Sequence, residues 1–125
     1  MHNGSPRTVA VVDDDDGVRD SLQFLLEAAG ISVATFGSAA QFLEEASFSA
    51  LTCLVVDQHM PDQTGLQLVS NLRQRGTQLP IALITGSPSP DLLRLAYELG
   101  VTKVMEKPLD DEALLRFIQC PGATD

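Results

Sequence analysis

The sequence is poor in aromatic residues and in the residues that form metal or disulfide centres. Tryptophan is absent, tyrosine occurs once, and cysteine and histidine occur twice each in 125 residues. Cys53 and Cys120 lack the spacing of a disulfide framework or a zinc motif. His2 and His59 are too few and too far apart to complete a metal site with those thiols. We therefore expect two reduced cysteines and no zinc.

Positive charge is also scarce, and long apolar runs are missing. Lys and Arg number 8 against 17 Asp and Glu, a formal net charge of −9, which disfavours direct binding to nucleic acid or to anionic lipid. Apolar stretches such as residues 51–56 are far shorter than the roughly 20 residues of a membrane helix. Residues 1–8 contain no apolar signal-peptide core. We expect a soluble cytoplasmic protein.

What the sequence does contain is the composition of one folded domain, with 44% hydrophobic and 20% charged residues. We place this domain at residues 8–119, with tails at 1–7 and 120–125. Short apolar runs alternate with stretches in which apolar residues recur at helical spacing. The runs predict five strands, and five helices follow them. The predicted strands are Thr8–Val12, Ser32–Phe36, Thr52–Val56, Pro80–Thr85 and Thr102–Glu106.

Residues with helix-boundary preferences support this division. Glycines that can take a positive φ follow three helical stretches, at Gly30, Gly76 and Gly100. Helix starts are predicted at Ser38 with Gln41 as a capping box, at Ser89-Pro90, and at Asp110. Strict strand–helix alternation predicts an α/β fold with a doubly wound five-stranded parallel sheet, flavodoxin-like, of strand order 2-1-3-4-5. In such folds, ligands bind beyond the carboxyl ends of the strands at the switch point, here strands one and three.

Acidic residues converge on that switch point. Strand one runs into four consecutive aspartates at 13–16, and Asp57 follows strand three. Two like charges about 4 Å apart repel by roughly 4 kcal/mol at an effective dielectric constant of 20, so a bound cation is expected. Oxygen ligands and room for phosphate oxygens favour Mg²⁺. Alternatively, the acidic run only caps the first helix, a role that we assign to Asp15 and Asp16.

Thr85 and Lys107 reach the same edge of the predicted sheet, at the ends of strands four and five. Either residue alone would be read as solvated surface. A hydroxyl donor and an ammonium group that face a carboxylate and a metal can together hold a phosphoryl group. The coincidence of four strand ends therefore favours phosphoryl transfer.

The chain resembles the CheY-like receiver domain of two-component response regulators over residues 8–119. Four blocks carry the resemblance: Val-Val-Asp-Asp at 11–14, Val-Val-Asp-Gln-His-Met-Pro-Asp-Gln-Thr-Gly at 55–65, Leu-Ile-Thr-Gly at 83–86 and Glu-Lys-Pro at 106–108. Val-Asp-Asp followed by Val-Arg, with Ile-Thr-Gly and Glu-Lys-Pro, is most similar to the receivers of nitrogen-fixation-type (FixJ-like) transcription regulators.

The resemblance implies that Asp57 accepts a phosphoryl group from a phosphohistidine of a sensor histidine kinase or phosphotransfer protein. It implies Mg²⁺ bound by Asp57, by Asp14 directly, by Asp13 mainly through water and by the backbone carbonyl of His59. The His59 side chain either borders the path of attacking water or is ordinary surface. A receiver of this kind is not an enzyme with a free substrate, because it catalyses only its own phosphotransfer and a slow self-dephosphorylation.

The resemblance also implies that Thr85 and Lys107 contact the bound phosphoryl oxygens and that Thr85 moves inward when they bind. Gly86 would leave the site open, and the peptide before Pro108 would be cis. The responding surface would be helix four, strand five and helix five, roughly residues 90–99, 103–106 and 110–118, often used for dimerisation.

One position departs from the family pattern. Val104, three residues before Lys107, stands where receivers with an aromatic switch carry Tyr or Phe. Coupled movement of Thr85 and an aromatic ring is therefore in doubt, and simple β-branched packing is the favoured interpretation of Val104. We then expect output to depend on backbone shifts in residues 86–90, a loop stiffened by two prolines.

Two other classes of protein share part of this pattern. Asp13 as nucleophile and Asp15 as general acid would suit a phosphatase of the haloacid-dehalogenase type. That class also needs an acidic pair on a later strand and a cap domain, and neither is found in the sequence. A flavin-binding module fits the fold alone. The cognate kinase and the output are not encoded in any of these motifs.

Overall fold

The apolar runs form strands because β-branched and aliphatic residues suit a sheet that is covered on both faces. The computed structural model describes residues 8–121. Its strands are β1 (Thr8–Val12), β2 (Ser32–Phe36), β3 (Leu51–Asp57), β4 (Ile81–Thr85) and β5 (Lys103–Glu106). Its helices are α1 (Asp16–Ala28), α2 (Ala39–Glu45), α3 (Gly65–Gln74), α4 (Pro90–Glu98) and α5 (Asp111–Gln119), with a short 3₁₀ helix at Phe48–Ala50.

All neighbouring strands are parallel, and their order is β2-β1-β3-β4-β5. The predicted fold class and strand order are therefore confirmed. β1 and β2 have the predicted bounds, whereas β3 extends by one residue at each end, so that Asp57 closes it. The predicted tail at 1–7, with His2, and residues 122–125 lie outside the described residues.

Alternate residues of each strand enter two separate cores. Val9 and Val11 of β1 pack with α1 and α5, in a cluster that includes Leu26 and Leu114. Ala10 and Val12 point to the opposite face, where α2, α3 and α4 cover the sheet. This two-residue period explains why the strands read as continuous apolar runs.

Phenylalanines anchor the segment between α2 and β3. The Phe42 ring makes edge-to-face contacts with Phe36 and with Phe48, each at a centroid distance of 5.3 Å. Phe48 begins the 3₁₀ helix, an element that periodicity did not predict because three residues are too few to show a pattern.

The helix ends test the boundary predictions directly. Gly30, Gly76 and Gly100 all have positive φ, at 80°, 89° and 75°, and Ser89 and Asp110 cap α4 and α5 as predicted. Ser38 accepts the Gln41 N–H at 3.1 Å, but the Gln41 side chain accepts from the Gly37 N–H, so the predicted capping box is wrong in its second half. The complete capping box is at Thr64 and Gln67, before α3.

Both cysteines in the described residues are free, Cys53 buried and Cys120 exposed. Burial raises the pKa of the Cys53 thiol to about 11, which keeps it protonated at neutral pH. None of the helices in residues 8–121 has the length and apolar character that crossing a membrane requires.

Arg73 fastens the ends of α3 and α4 together at the amino-terminal edge of the sheet. Its guanidinium donates hydrogen bonds to four backbone carbonyls, those of Thr77 (2.9 Å), Leu79 (3.0 Å), Leu99 (2.9 Å) and Gly100 (3.1 Å). Partial burial lowers the pKa of Arg73, but an arginine remains charged at neutral pH. Its positive charge also suits the carbonyl-rich carboxyl ends of two helices.

The start of α3 packs closely against the end of β3. A Cβ at Gly65 would lie 2.7 Å from the Asp57 carbonyl oxygen and 2.7 Å from Leu83 Cδ1. Such distances are well inside van der Waals contact, so this approach requires glycine.

We expect Arg73→Ala to lower the free energy of unfolding by about 2 kcal/mol or more, because hydrogen bonds from a charged donor to four carbonyls are lost. Equilibrium urea unfolding would measure this change. Arg75→Ala is the matched control, since Arg75 is exposed, and should change stability by less than about 0.5 kcal/mol. Equal losses in the two variants would contradict the role given to Arg73.

We expect Gly65→Ala to lower the Tm by about 5–10 °C through overpacking against β3. Thermal unfolding followed by circular dichroism would measure it. Gly86→Ala is the control, because a Cβ at Gly86 meets no atom within 4 Å. A Gly65→Ala protein as stable as the Gly86→Ala protein would show that the contact relaxes without cost.

Candidate functional site

The strand order brings four strand ends to one edge of the sheet. Asp13 directly follows β1, Asp57 and Thr85 are the last residues of β3 and β4, and Lys107 directly follows β5. Thr85 is paired with Glu106 across β4 and β5, so their ends are level. The side chains of Asp13, Asp57 and Thr85 are buried, at 5%, 3% and 0% exposure. These are the polar residues that the fold buries among those described.

Three carboxylates form a tight cluster at this edge. One oxygen each of Asp13, Asp14 and Asp57 lies within 4.8 Å of the others. Burial raises the pKa of Asp13, and the negative charge of Asp57 adds to this effect, while a hydrogen bond from the Asp15 N–H to Oδ1 at 2.9 Å opposes it. Asp13 and Asp57 are buried and Asp14 is exposed beside them, so three carboxylates lie close enough together to favour a bound cation.

Lys107 supplies the nearest positive charge to Asp57. Its Nζ lies 2.9 Å from Asp57 Oδ1, and this contact raises the pKa of Lys107. In the described part of the chain, Asp57 Oδ1 is fully buried yet accepts no hydrogen bond of good geometry. A buried oxygen with unused lone pairs, beside two further carboxylates, fits a hard cation such as Mg²⁺.

Thr85 is held by its backbone and by its side chain. Its carbonyl accepts the Lys107 N–H at 2.9 Å, so β4 and β5 place the threonine and the lysine together. Its hydroxyl accepts the Ser87 N–H at 3.1 Å, which leaves the hydroxyl proton to be donated. The Lys107-Pro108 peptide is cis, as the family resemblance implies.

The remaining predicted residues lie at the rim. His59 is exposed in the β3–α3 loop, two residues after Asp57. Asp15 is the N-cap of α1 and accepts the Val18 N–H at 3.1 Å, as expected. Val104 is half-buried and packs on the core cluster under α3 and α4, which agrees with simple packing.

Two residues that hold the site together were not singled out from the sequence. Gln58 follows Asp57 and binds the start of α3 through its side-chain oxygen, which accepts the Leu66 N–H at 2.9 Å. Arg19 donates to the Asp13 carbonyl at 2.6 Å. Both residues stand in the motif blocks that carry the family resemblance, Gln58 in 55–65 and Arg19 in the Val-Arg pair. The contact of Arg19 joins α1 to a residue before the helix, six positions earlier, and no spacing rule predicts it.

Comparison with known proteins agrees with this geometry. Residues 9–119 match the family model described as the response regulator receiver domain. The transcriptional regulatory protein FixJ of Azorhizobium caulinodans is 40% identical over 111 residues, which cover 89% of this chain and 53% of FixJ. The chain therefore spans about half the length of the curated relatives it matches.

Two solved structures show the same fold. The chemotaxis protein CheY4 of Vibrio cholerae has a TM-score of 0.85 at 27% identity and covers 94% of this chain and 99% of its own. The crystal structure of FixJ-N has a TM-score of 0.81 at 33% identity, with 93% of each chain covered. The predicted resemblance, including its FixJ-like character, is confirmed, and the phosphatase alternative finds no support. The chain belongs to the response regulator receiver domain family, a family of signalling domains of bacterial two-component systems.

Proposed function

We propose that Asp57 of this chain accepts a phosphoryl group from the phosphohistidine of a sensor histidine kinase or phosphotransfer protein. The observation that carries the proposal is the buried Asp57 carboxylate, paired with Lys107 and clustered with Asp13 and Asp14. A carboxylate held in this way is shielded from bulk water and lies at the carboxyl edge of the sheet, the edge at which ligands approach open α/β sheets.

The proposed step is a displacement at phosphorus. A carboxylate oxygen of Asp57 forms the new P–O bond, the P–N bond to the donor imidazole breaks, and the imidazole leaves with the electron pair and takes up a proton. Lys107 neutralises charge on the transferred group, and the Thr85 hydroxyl donates a hydrogen bond to one of its oxygens. The product is an acyl phosphate on Asp57.

Asp13, Asp14, Asp57 and the His59 carbonyl are the groups that we propose to hold Mg²⁺. When bound, the ion would neutralise the developing charge on the phosphoryl oxygens. The same groups would support a slow self-dephosphorylation, in which water replaces the carboxylate at phosphorus. The chain acts through a partner in this proposal, not through turnover of a free substrate.

The consequence of phosphorylation is a shift between two states. The acyl phosphate carries about two negative charges where the carboxylate carried one, and its oxygens make contacts that only one state can offer. We propose that the shift reaches partners through the α4–β5–α5 surface, defined here by residues 90–98, 103–106 and 111–119. Leu93 and Tyr97 are four residues apart on α4 and both exposed, the latter to 84%, so they share one face of the helix and offer an apolar contact for a partner or a second copy.

In this proposal, the change at the phosphorylated site reaches the α4–β5–α5 surface through movements of the backbone. Val104 has no ring that could change rotamer behind Thr85, and Ser87 N–H is bonded to the Thr85 hydroxyl. Movement of that hydroxyl toward a phosphoryl oxygen would release Ser87 and with it the loop that precedes α4. The negative net charge supports a segment without direct nucleic-acid contact, and we propose that the exchange takes place in the cytoplasm.

We expect acetyl phosphate with Mg²⁺ to add one labile phosphoryl group, located on Asp57 by peptide mapping and intact-mass analysis. Asp57→Asn should abolish the addition, because the amide oxygen is a poor nucleophile, and omission of Mg²⁺ should do the same. Asp91→Asn, at an exposed residue of α4, is the control and should be modified like the parent protein. A phosphoryl group on Asp13 that turns over rapidly would instead favour a phosphatase.

We expect His59→Ala to shorten the lifetime of the phosphorylated protein about threefold or more, a barrier change of ~0.7 kcal/mol, because the exposed imidazole borders the approach of water. Loss of phosphate after removal of the donor would be followed by mass. Gln63→Ala, a neutral change in the same loop, should leave the lifetime unaltered. An unchanged lifetime for His59→Ala would mean that only the backbone carbonyl of His59 matters.

A further inference from the structure

We propose that Arg19 is a positioning residue for the metal site, which holds the Asp13–Asp14 segment in the geometry that Mg²⁺ needs. The inference rests on the proposed function, because it concerns the metal used there. Among the described contacts, the guanidinium of Arg19 binds the Asp13 carbonyl and the Asp16 carboxylate, so its contact with the cluster is through the backbone of Asp13.

The contact that carries the inference is a hydrogen bond to one particular peptide. Arg19 Nη1 donates to the Asp13 carbonyl oxygen at 2.6 Å, and Nη2 pairs with the Asp16 carboxylate. The Asp13 carbonyl belongs to the peptide that joins Asp13 to Asp14. Because a peptide is planar, a donor that fixes its carbonyl also fixes the directions in which both ligand residues leave it.

The rest of the loop depends on the same residues. Asp13 Oδ1 accepts the Asp15 N–H at 2.9 Å, and the Asp13 N–H donates to the Phe36 carbonyl at 3.1 Å. These bonds hold the side chain and the nitrogen of Asp13, but neither holds its carbonyl. Among the described contacts, Arg19 is the side chain that does.

The β2–α2 connection leaves room for the guanidinium. A Cβ at Gly37 would lie 3.2 Å from Arg19 Nη1, a tight contact that the guanidinium could relieve only by shifting, and 3.5 Å from Cζ, an ordinary van der Waals distance. The Gly37 N–H donates a hydrogen bond to Gln41 Oε1 at 2.8 Å, which fixes the backbone of Gly37 beside the guanidinium. Arg19 is therefore enclosed between two loops, and its side chain is only 20% exposed.

The geometry and the charge of Arg19 predict opposite changes in Mg²⁺ affinity when the arginine is removed. As a positive charge near three carboxylates, Arg19 would oppose the binding of a cation, and its removal would tighten Mg²⁺ binding. As a positioning group, it would favour binding, and its removal would weaken it. The sign of the change therefore separates the two roles.

The test is calorimetric titration of the unphosphorylated protein with MgCl₂. We expect Arg19→Gln to weaken Mg²⁺ binding about tenfold, as loss of an outer-sphere partner does, and Arg19→Lys to give a smaller loss, because lysine keeps the charge and one donor but not the planar fork. Arg75→Gln, which removes the same charge from an exposed remote residue, should leave the affinity unchanged.

Two outcomes would overturn the proposal in distinguishable ways. Tighter or equal binding in Arg19→Gln, with Arg19→Lys unchanged, would show that Arg19 acts by charge alone or not at all, while the metal site stands. A parent protein that binds no Mg²⁺ would instead refute the metal part of the proposed function, and the inference with it.

A second variant keeps the test independent of folding defects. Gly37→Ala pushes a methyl group against the guanidinium, and we expect it to weaken Mg²⁺ binding in the parent protein but not further in Arg19→Gln. Thermal unfolding without metal would show whether each variant is folded. With acetyl phosphate as donor, we expect Arg19→Gln to need a higher Mg²⁺ concentration for half-maximal phosphorylation but to reach the parent rate at saturating Mg²⁺. If Gly37→Ala weakened Mg²⁺ binding as much in Arg19→Gln as in the parent protein, the positioning role would be contradicted.

Discussion

Repulsion among carboxylates at one edge of the sheet is the constraint on which the rest of the structure depends. Asp13 and Asp57 are buried there with Asp14 beside them. Burying like charges next to one another is unfavourable, so this arrangement forms only because the rest of the fold imposes it. Lys107 neutralises only part of this negative charge, through its contact with one oxygen of Asp57. Burial of both faces of the sheet offsets the cost of assembling the cluster, so the two apolar cores keep this carboxylate-rich edge in place.

Much of this could be read from the sequence, because the determinants are local. The apolar runs predicted the first and last residues of β1 and β2 correctly, because parallel strands that are buried on both faces consist almost entirely of apolar residues. Gly30, Gly76 and Gly100 marked helix ends through backbone conformation alone. The cluster of Asp13, Asp14 and Asp57 followed from the rule that ligands meet at strand carboxyl ends, once the strand order had been predicted.

What could not be read depends on contacts between distant segments. The carbonyls that Arg73 binds become neighbours only when α3 and α4 pack, and nothing in the residues around Arg73 distinguishes it from exposed Arg75. The Thr64–Gln67 capping box had the right spacing, but so did Ser38–Gln41, where the glutamine instead turns to Gly37. A capping motif therefore predicts the helix start better than it predicts the second hydrogen bond, because neighbouring donors compete for the same side chain.

The two ends of α4 are held in different ways, and this asymmetry links the site to the surface. At its carboxyl end, Arg73 binds the carbonyls of Leu99 and Gly100. At its amino end, Ser89 caps the helix by a bond to Leu92 within α4 itself, and the preceding loop is joined to Thr85 through Ser87. The carboxyl end of α4 is therefore tied to α3, whereas the loop before its amino end is tied to the Thr85 hydroxyl. Exposed Leu93 and Tyr97 lie on this helix, so the hydrogen bond from Ser87 to Thr85 connects the end of β4 to the segment that carries them without passing through Val104.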